Sequence, residues 1–143
     1  MDPHDLELIL LSGAKAPSAK NEQPWHFTVI TNYEIGNELL RFVLPGSVLI
    51  VISGTRDVTV DLMVFDTALA TQNMQLAAEA LGYGARIFIE PVWEIERQRE
   101  RLGIPYGYEV IMALLVSHVR PDVDVISAAT PRNALSYHVN FVD

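Results

Sequence analysis

Cysteine is absent from this chain of 143 residues. A disulfide framework, a thiolate nucleophile and a cysteine-based metal site are therefore excluded. The four histidines (His4, His26, His118 and His138) do not have the spacing of metal ligands, and we predict no metal site.

Positive charge is also scarce, because 10 Lys and Arg residues stand against 18 Asp and Glu residues, a formal net charge of −8. Nucleic acid is not an expected partner, since binding a phosphate backbone needs a basic face. An anionic membrane surface is not expected for the same reason. A phosphorylated cofactor stays open, because one pocket can be positive within an acidic protein.

Long uninterrupted apolar runs are missing, so no transmembrane helix is expected. Residues 1–5 contain no basic segment of the kind that opens a signal peptide, and we expect a cytoplasmic protein. Half of the residues are nevertheless hydrophobic, and the mean hydropathy is +0.20. The length fits a single domain spanning residues 1–143. For so short a chain, this apolar excess predicts that a second subunit covers part of the surface.

The hydrophobic pattern predicts helices and strands in alternation. Asp2 and Pro3 are typical of an N-cap followed by proline at the first helical position, and Pro17 ends that helix by residue 16. The predicted order is helix to 16, loop 17–25, strand 26–30, helix 33–43, strand 47–53, helix 61–81, strand 85–89, helix 92–102, strand 109–116 and tail 132–143. Alternation is compatible with a doubly wound parallel sheet and with an α+β fold, and the pattern does not choose between them.

The helix predicted over residues 61–81 is apolar on nearly every side and ends at Gly82. A helix of this kind is buried all round. In a protein of this size, such burial is expected to need a second subunit.

The most informative segment is residues 16–27, with the letters APSAKNEQPWHF. Two prolines hold this loop extended, and Ser18, Asn21 and Gln23 carry hydroxyl and amide groups that donate and accept hydrogen bonds. Such groups suit the edge of a flat heterocycle. They equally suit a loop that satisfies its own backbone, and the residue types alone leave both interpretations open.

The pattern APSxxNxQPWxF resembles the flavin-binding loop of the FMN-dependent nitroreductase-like family. The resemblance implies that Pro17, Ser18 and Asn21 approach the flavin and that Gln23 supports the loop, in many members across a dimer interface. A second block, residues 66–85, resembles the central helix and glycine turn of that family. It implies that the backbone near Phe88, Ile89 and Glu90 faces the flavin ring. The resemblance covers roughly residues 5–143 and is patchy between residues 31 and 60.

One departure concerns the FMN phosphate. Members of the family usually open with an Arg-rich segment that holds this group, whereas this chain has no Lys or Arg before Lys15. Arg132 resembles a late family arginine that reaches the phosphate, with Lys15 and Lys20 as weaker candidates. A solvated surface arginine is the alternative interpretation of Arg132.

The resemblance implies an α+β fold, with a mostly antiparallel sheet flanked by helices and a C-terminal tail that pairs with a partner subunit. It also implies a homodimeric oxidoreductase that uses FMN, takes hydride from NADH or NADPH, and reduces nitroaromatic, quinone or similar acceptors. No side chain is assigned as catalytic acid or base. Two alternatives stay open: a flavin-poor dimeric module that binds or regulates through small molecules, and a purely structural subunit.

Overall fold

The computed structural model describes residues 1–41, 43–119 and 130–142. The helices and strands in these residues are α1 (Pro3–Ala14), β1 (Trp25–Ile30), α2 (Tyr33–Leu39), β2 (Val48–Thr55), α3 (Val60–Ala80), β3 (Tyr83–Phe88), α4 (Val92–Arg97) and β4 (Tyr108–His118). Short 3-10 turns occur at Ala19–Asn21 and Leu135–Tyr137.

The four described strands form one sheet in the order β1-β2-β4-β3, and every neighbouring pair is antiparallel. The α+β fold with an antiparallel sheet is thereby confirmed, and the parallel alternative that the pattern left open is wrong. Strand β2 lies inside the sheet and is buried on both faces, which explains its continuous apolar run.

Helices cover both faces of the sheet. Helices α1 and α3 pack on one face, where Ile9 and Met74 belong to the same buried apolar cluster as Ile50 and Ile52. Helices α2 and α4 and the turn after α4 cover the other face, where Leu39 and other apolar side chains meet Leu49 and Val51. Two apolar layers therefore enclose β2, as its uninterrupted hydrophobic run predicts.

Helix α1 begins as predicted, because the Asp2 carboxylate accepts a hydrogen bond of 2.8 Å from the backbone N–H of His4. The helix is also tied to β3, since the Tyr83 hydroxyl donates a hydrogen bond of 2.7 Å to Asp5. This hydrogen bond is the largest influence on the pKa of Tyr83, and it raises that pKa above the ordinary tyrosine value.

Helix α3 has the predicted extent to within one residue at each end, and Gly82 follows it with a φ of 86°. Its burial is one-sided in the single chain. Apolar side chains are exposed along its outer side: Val60, Leu62, Val64, Phe65 and Leu76. These exposures agree with the expectation that a single chain does not bury this helix on every side.

Two predicted helices are shorter than expected. Helix α2 ends at Leu39 rather than at residue 43, and α4 ends at Arg97 rather than at residue 102. After Arg97 the chain continues in tight turns, in which Gln98 and Arg99 donate to carbonyls only three residues back. No helix in the described part of the chain is long and apolar enough to cross a membrane.

Candidate functional site

The loop between α1 and β1 has an unusual backbone conformation. Lys20, Asn21 and Gln23 have φ values of 52°, 59° and 48°, and none of them is glycine. Residues other than glycine rarely adopt left-handed backbone angles, although Asn tolerates them better than most. Three such residues within four positions need surrounding contacts to hold them.

Two of these contacts involve only the loop and the end of β2. The Ser18 Oγ accepts a hydrogen bond of 2.9 Å from the backbone N–H of Gln23, which closes the loop on itself. The carbonyl of Pro24 accepts a hydrogen bond of 2.8 Å from the backbone N–H of Thr55. Ser18 therefore has a structural task in this chain, and its hydroxyl hydrogen is still available to a ligand.

The two amide side chains of the loop are exposed. Gln23 Nε2 lies 3.4 Å from the carbonyl oxygen of Asn21, a long hydrogen bond within the loop. The Asn21 side chain makes no hydrogen bond with the described residues. Its amide group is consequently free to contact a ligand.

A third contact comes from α3 and was missed by the sequence analysis. The Asp66 carboxylate accepts from the backbone N–H of Ala19, at 3.1 Å to one oxygen and 3.3 Å to the other. Asp66 is only 2% exposed. The available signal was an acidic residue within the mostly apolar stretch from Leu62 to Ala70, at a position where burial is expected.

A cleft of about 210 Å³ lies between this loop and the start of α3. Its lining includes three carboxylates, from Glu22, Asp57 and Asp66, and one ammonium group, from Lys20. This excess of negative charge disfavours a phosphate. The cleft is therefore not suited to the phosphate end of a nucleotide cofactor.

The second predicted segment, residues 88–90, lies at the end of β3. Phe88 is buried, and the Arg86 guanidinium lies 4.8 Å from the centre of its ring. Ile89 is 69% exposed, and its backbone N–H donates to the carboxylate of Glu90 at 3.2 Å. A ligand acceptor would have to replace this exposed carboxylate.

Arg132 lies in the tail, where its guanidinium donates a hydrogen bond of 2.8 Å to the carbonyl of Thr130. Every described tail residue, 130–142, is exposed. Across the described ranges, no hydrogen bond or ion pair joins Arg132 to the loop of residues 17–23. The structure of the single chain brings Pro17, Ser18, Asn21 and Gln23 together, and the described residues show no bond from Arg132 to them.

Comparison with known proteins places this geometry in a family. No family model matches the chain. A protein of Archaeoglobus fulgidus is 32% identical over 136 residues, and the match covers 87% of this chain and 78% of the relative. That relative is provisionally named as an NADH dehydrogenase/NAD(P)H nitroreductase. This chain belongs to the nitroreductase family.

Solved nitroreductase structures share the fold. A nitroreductase with bound FMN from Bacteroides fragilis superposes with a TM-score of 0.82 and 22% identity, covering 100% of this chain and 89% of the other. One in complex with FMN from Desulfovibrio desulfuricans gives a TM-score of 0.82 and 24% identity, with 100% and 86% covered. These superpositions confirm the α+β nitroreductase fold, and the A. fulgidus relative confirms the family that the loop motif predicted.

Proposed function

We propose that this chain is an FMN-dependent NAD(P)H oxidoreductase that reduces nitroaromatics, quinones or similar small acceptors. The observation that carries the proposal is the loop of residues 16–24, whose strained backbone presents hydrogen-bonding side chains at one place. The name of the A. fulgidus relative and the FMN bound in structures of the same fold support it.

The chemistry of the donor set fits the ring of a flavin. Asn21 and Gln23 offer exposed amides, and Ser18 has a free hydroxyl hydrogen, which match a ring edge that carries both donors and acceptors. The backbone of residues 88–90 is the candidate for a second contact to the ring. When bound, FMN supplies reversible two-electron transfer between NAD(P)H and a second small molecule.

The phosphate end needs cationic partners away from the acidic cleft. Arg132 is the main candidate, and its single hydrogen bond to a tail carbonyl leaves its remaining N–H groups available. Lys15 and Lys20 are weaker candidates: neither forms an ion pair with the described residues, but Lys20 itself lines the acidic cleft. The task of these side chains is to bind and orient the cofactor, and no side chain is assigned a proton transfer.

We also propose that the protein functions as a homodimer in which residues 1–143 form one domain. Two features of the single chain support this proposal: the exposed apolar side chains along α3 and the exposure of every described tail residue. A second copy would bury both, and the tail would bring Arg132 to the site of the partner.

The test is oxidation of NADH and of NADPH in the presence of FMN and a nitroaromatic acceptor. In the variant Asn21→Gly the backbone keeps its left-handed angle while the amide is lost, so we expect a loss of turnover of roughly 10-fold or more. Asn37→Ala, an exposed amide on α2, is the control and should retain full turnover. If Asn21→Gly and Asn37→Ala were equally active, Asn21 would not be part of the cofactor site.

A second candidate function is a flavin-poor dimeric module that binds small molecules. It is favoured by one observation, the excess of carboxylates in the cleft beside the loop, which disfavours a phosphate. If the purified protein neither holds FMN nor gains it on reconstitution, this candidate replaces the oxidoreductase.

A further inference from the structure

A carboxylate at the buried position of Asp66 is energetically unfavourable. A carboxylate that is 2% exposed has lost nearly all of its hydration, and such burial is unfavourable unless hydrogen bonds or charges compensate. Its hydrogen-bond donor among the described residues is a single backbone N–H, that of Ala19. A carboxylate so placed is poorly explained by stability alone.

The helix around Asp66 is fixed against the sheet. Met63 packs directly on Gly54 of β2, where a Cβ atom at Gly54 would lie 2.3 Å from the Met63 Cγ. Thr67, the next residue, is fully buried, and its hydroxyl bonds back to the Met63 and Val64 carbonyls of its own helix. Asp66 therefore projects from a rigid part of α3 and holds its partner at a defined place.

That partner is the residue at which the strained part of the loop begins. Ala19 is followed by Lys20 and Asn21, both in left-handed conformations, which are unfavourable without external contacts. Among the hydrogen bonds of the described residues, only the one to Asp66 joins residues 17–23 to α3. The Ser18 contact lies within the loop, and the Pro24 contact lies at its far end.

We infer that Asp66 is a positioning residue that acts through Ala19 to hold residues 18–23 in the conformation that presents Ser18, Asn21 and Gln23. Its effect on cofactor binding rests on the proposed function, whereas its hold on the loop does not. The hold on the loop and the effect on cofactor binding are tested by two separate measurements.

The hold on the loop is measured by limited trypsin digestion. Lys20 is exposed within the strained segment, and cleavage after it requires local opening of the loop. We expect Asp66→Ala to be cleaved there on the order of 10-fold faster than the native chain, because a hydrogen bond to a charged group is lost. Asp66→Asn keeps one accepting oxygen and should fall between the two.

Thr67→Val is the matched control, because it removes a buried hydroxyl at the adjacent position that bonds only its own helix. It should be cleaved after Lys20 at the native rate. Circular dichroism and thermal unfolding identify any variant that loses the fold, and mass spectrometry separates cleavage after Lys20 from cleavage after Lys15. Cleavage of Asp66→Ala at the rate of folded Thr67→Val would overturn the inference.

FMN titration of the same proteins measures the effect on the cofactor. We expect Asp66→Ala to bind FMN roughly 10-fold more weakly than Thr67→Val, with partial recovery in Asp66→Asn. Faster cleavage of Asp66→Ala after Lys20, together with no FMN binding by the native chain, would support the positioning role and refute the flavin function. Native FMN affinity together with native cleavage in Asp66→Ala would refute the positioning role alone.

Discussion

Gly54 marks a close approach of α3 to the sheet. A Cβ atom there would lie 2.3 Å from the Met63 Cγ and 2.6 Å from its Sδ, and Met63 is 1% exposed. We therefore predict that Gly54→Ala lowers the free energy of unfolding by about 1–3 kcal/mol through overpacking. Denaturant unfolding measures this change.

The control for Gly54 is Gly84→Ala in β3. The nearest atom to a Cβ at Gly84 is Val119 Cγ2 at 3.4 Å, an ordinary contact. This variant should be neutral or slightly stabilising, since alanine loses less backbone entropy on folding than glycine. Equal stability of the two variants would show that the approach of α3 at Gly54 is not tight.

Tyr83 supplies a test that depends on pH. Its hydrogen bond to Asp5 raises its pKa in the folded state, so the stabilisation is fully present below the unfolded pKa of 10.0 and is lost as pH rises through the folded pKa. We predict that Tyr83→Phe melts at a lower temperature than the native chain at about pH 8 and that this difference shrinks by about pH 11.

Tyr106→Phe is the matched control for Tyr83, because Tyr106 is fully exposed and makes no hydrogen bond with the described residues. Its melting temperature should follow that of the native chain at each pH. If the difference in melting temperature between Tyr83→Phe and the native chain stays constant as pH rises, the contact with Asp5 does not stabilise the fold as described.

The residue types were sufficient to find the polar loop, but not the Asp66 carboxylate that binds it to α3. Ser18, Asn21 and Gln23 lie within six positions, so their grouping is visible in the sequence. Asp66 lies 47 residues after Ala19, and their contact exists only because α3 packs beside the loop. A single sequence contains no local signal for such a pairing.

At the scale of elements, local chemistry predicted where helices begin better than where they end. Asn32 is the N-cap of α2, because its side chain accepts a hydrogen bond of 3.0 Å from the backbone N–H of Ile35. We predict that Asn32→Ala costs about 1 kcal/mol of unfolding free energy. Asn37→Ala, within the same helix and exposed, should be neutral or stabilising in the same chemical denaturation.

The early end of α4 has a non-local cause. The Arg99 guanidinium donates to the carbonyls of Pro105 at 3.0 Å and Tyr108 at 2.8 Å, and it also pairs with Glu96. These contacts hold the turn before β4 beside residues 98–103. The i,i+3 spacing of Glu96 and Arg99 is visible in the sequence, but it contains no information about the two carbonyls.

At the scale of the molecule, the exposed apolar side chains of α3 test the homodimer. Phe65 is 62% exposed in the single chain. We predict that Phe65→Asp gives a monomer in analytical ultracentrifugation, because an unpaired carboxylate is costly within an apolar interface. Tyr33→Asp, which places the same charge at an exposed aromatic residue of α2, should stay dimeric. A native chain that sediments as a monomer would contradict the homodimer itself.

Strand order is a property of the molecule that the pattern of elements could not supply. Strands β2 and β4 are neighbours although a 21-residue helix, β3 and α4 lie between them in the chain. Alternating helices and strands are compatible with either strand direction, and here the resemblance of residues 16–27 and 66–85 to a family decided between them.

The most direct test of the central claim is the absorbance spectrum of the purified protein after addition of FMN and desalting. Flavin function predicts retained bands at about 370 nm and about 450 nm, positions that belong to the oxidised cofactor itself. Asn21→Gly should retain less of this absorbance than Asn37→Ala. A desalted native protein without these bands would contradict the oxidoreductase proposal and leave the small-molecule binding module as the function of this nitroreductase fold.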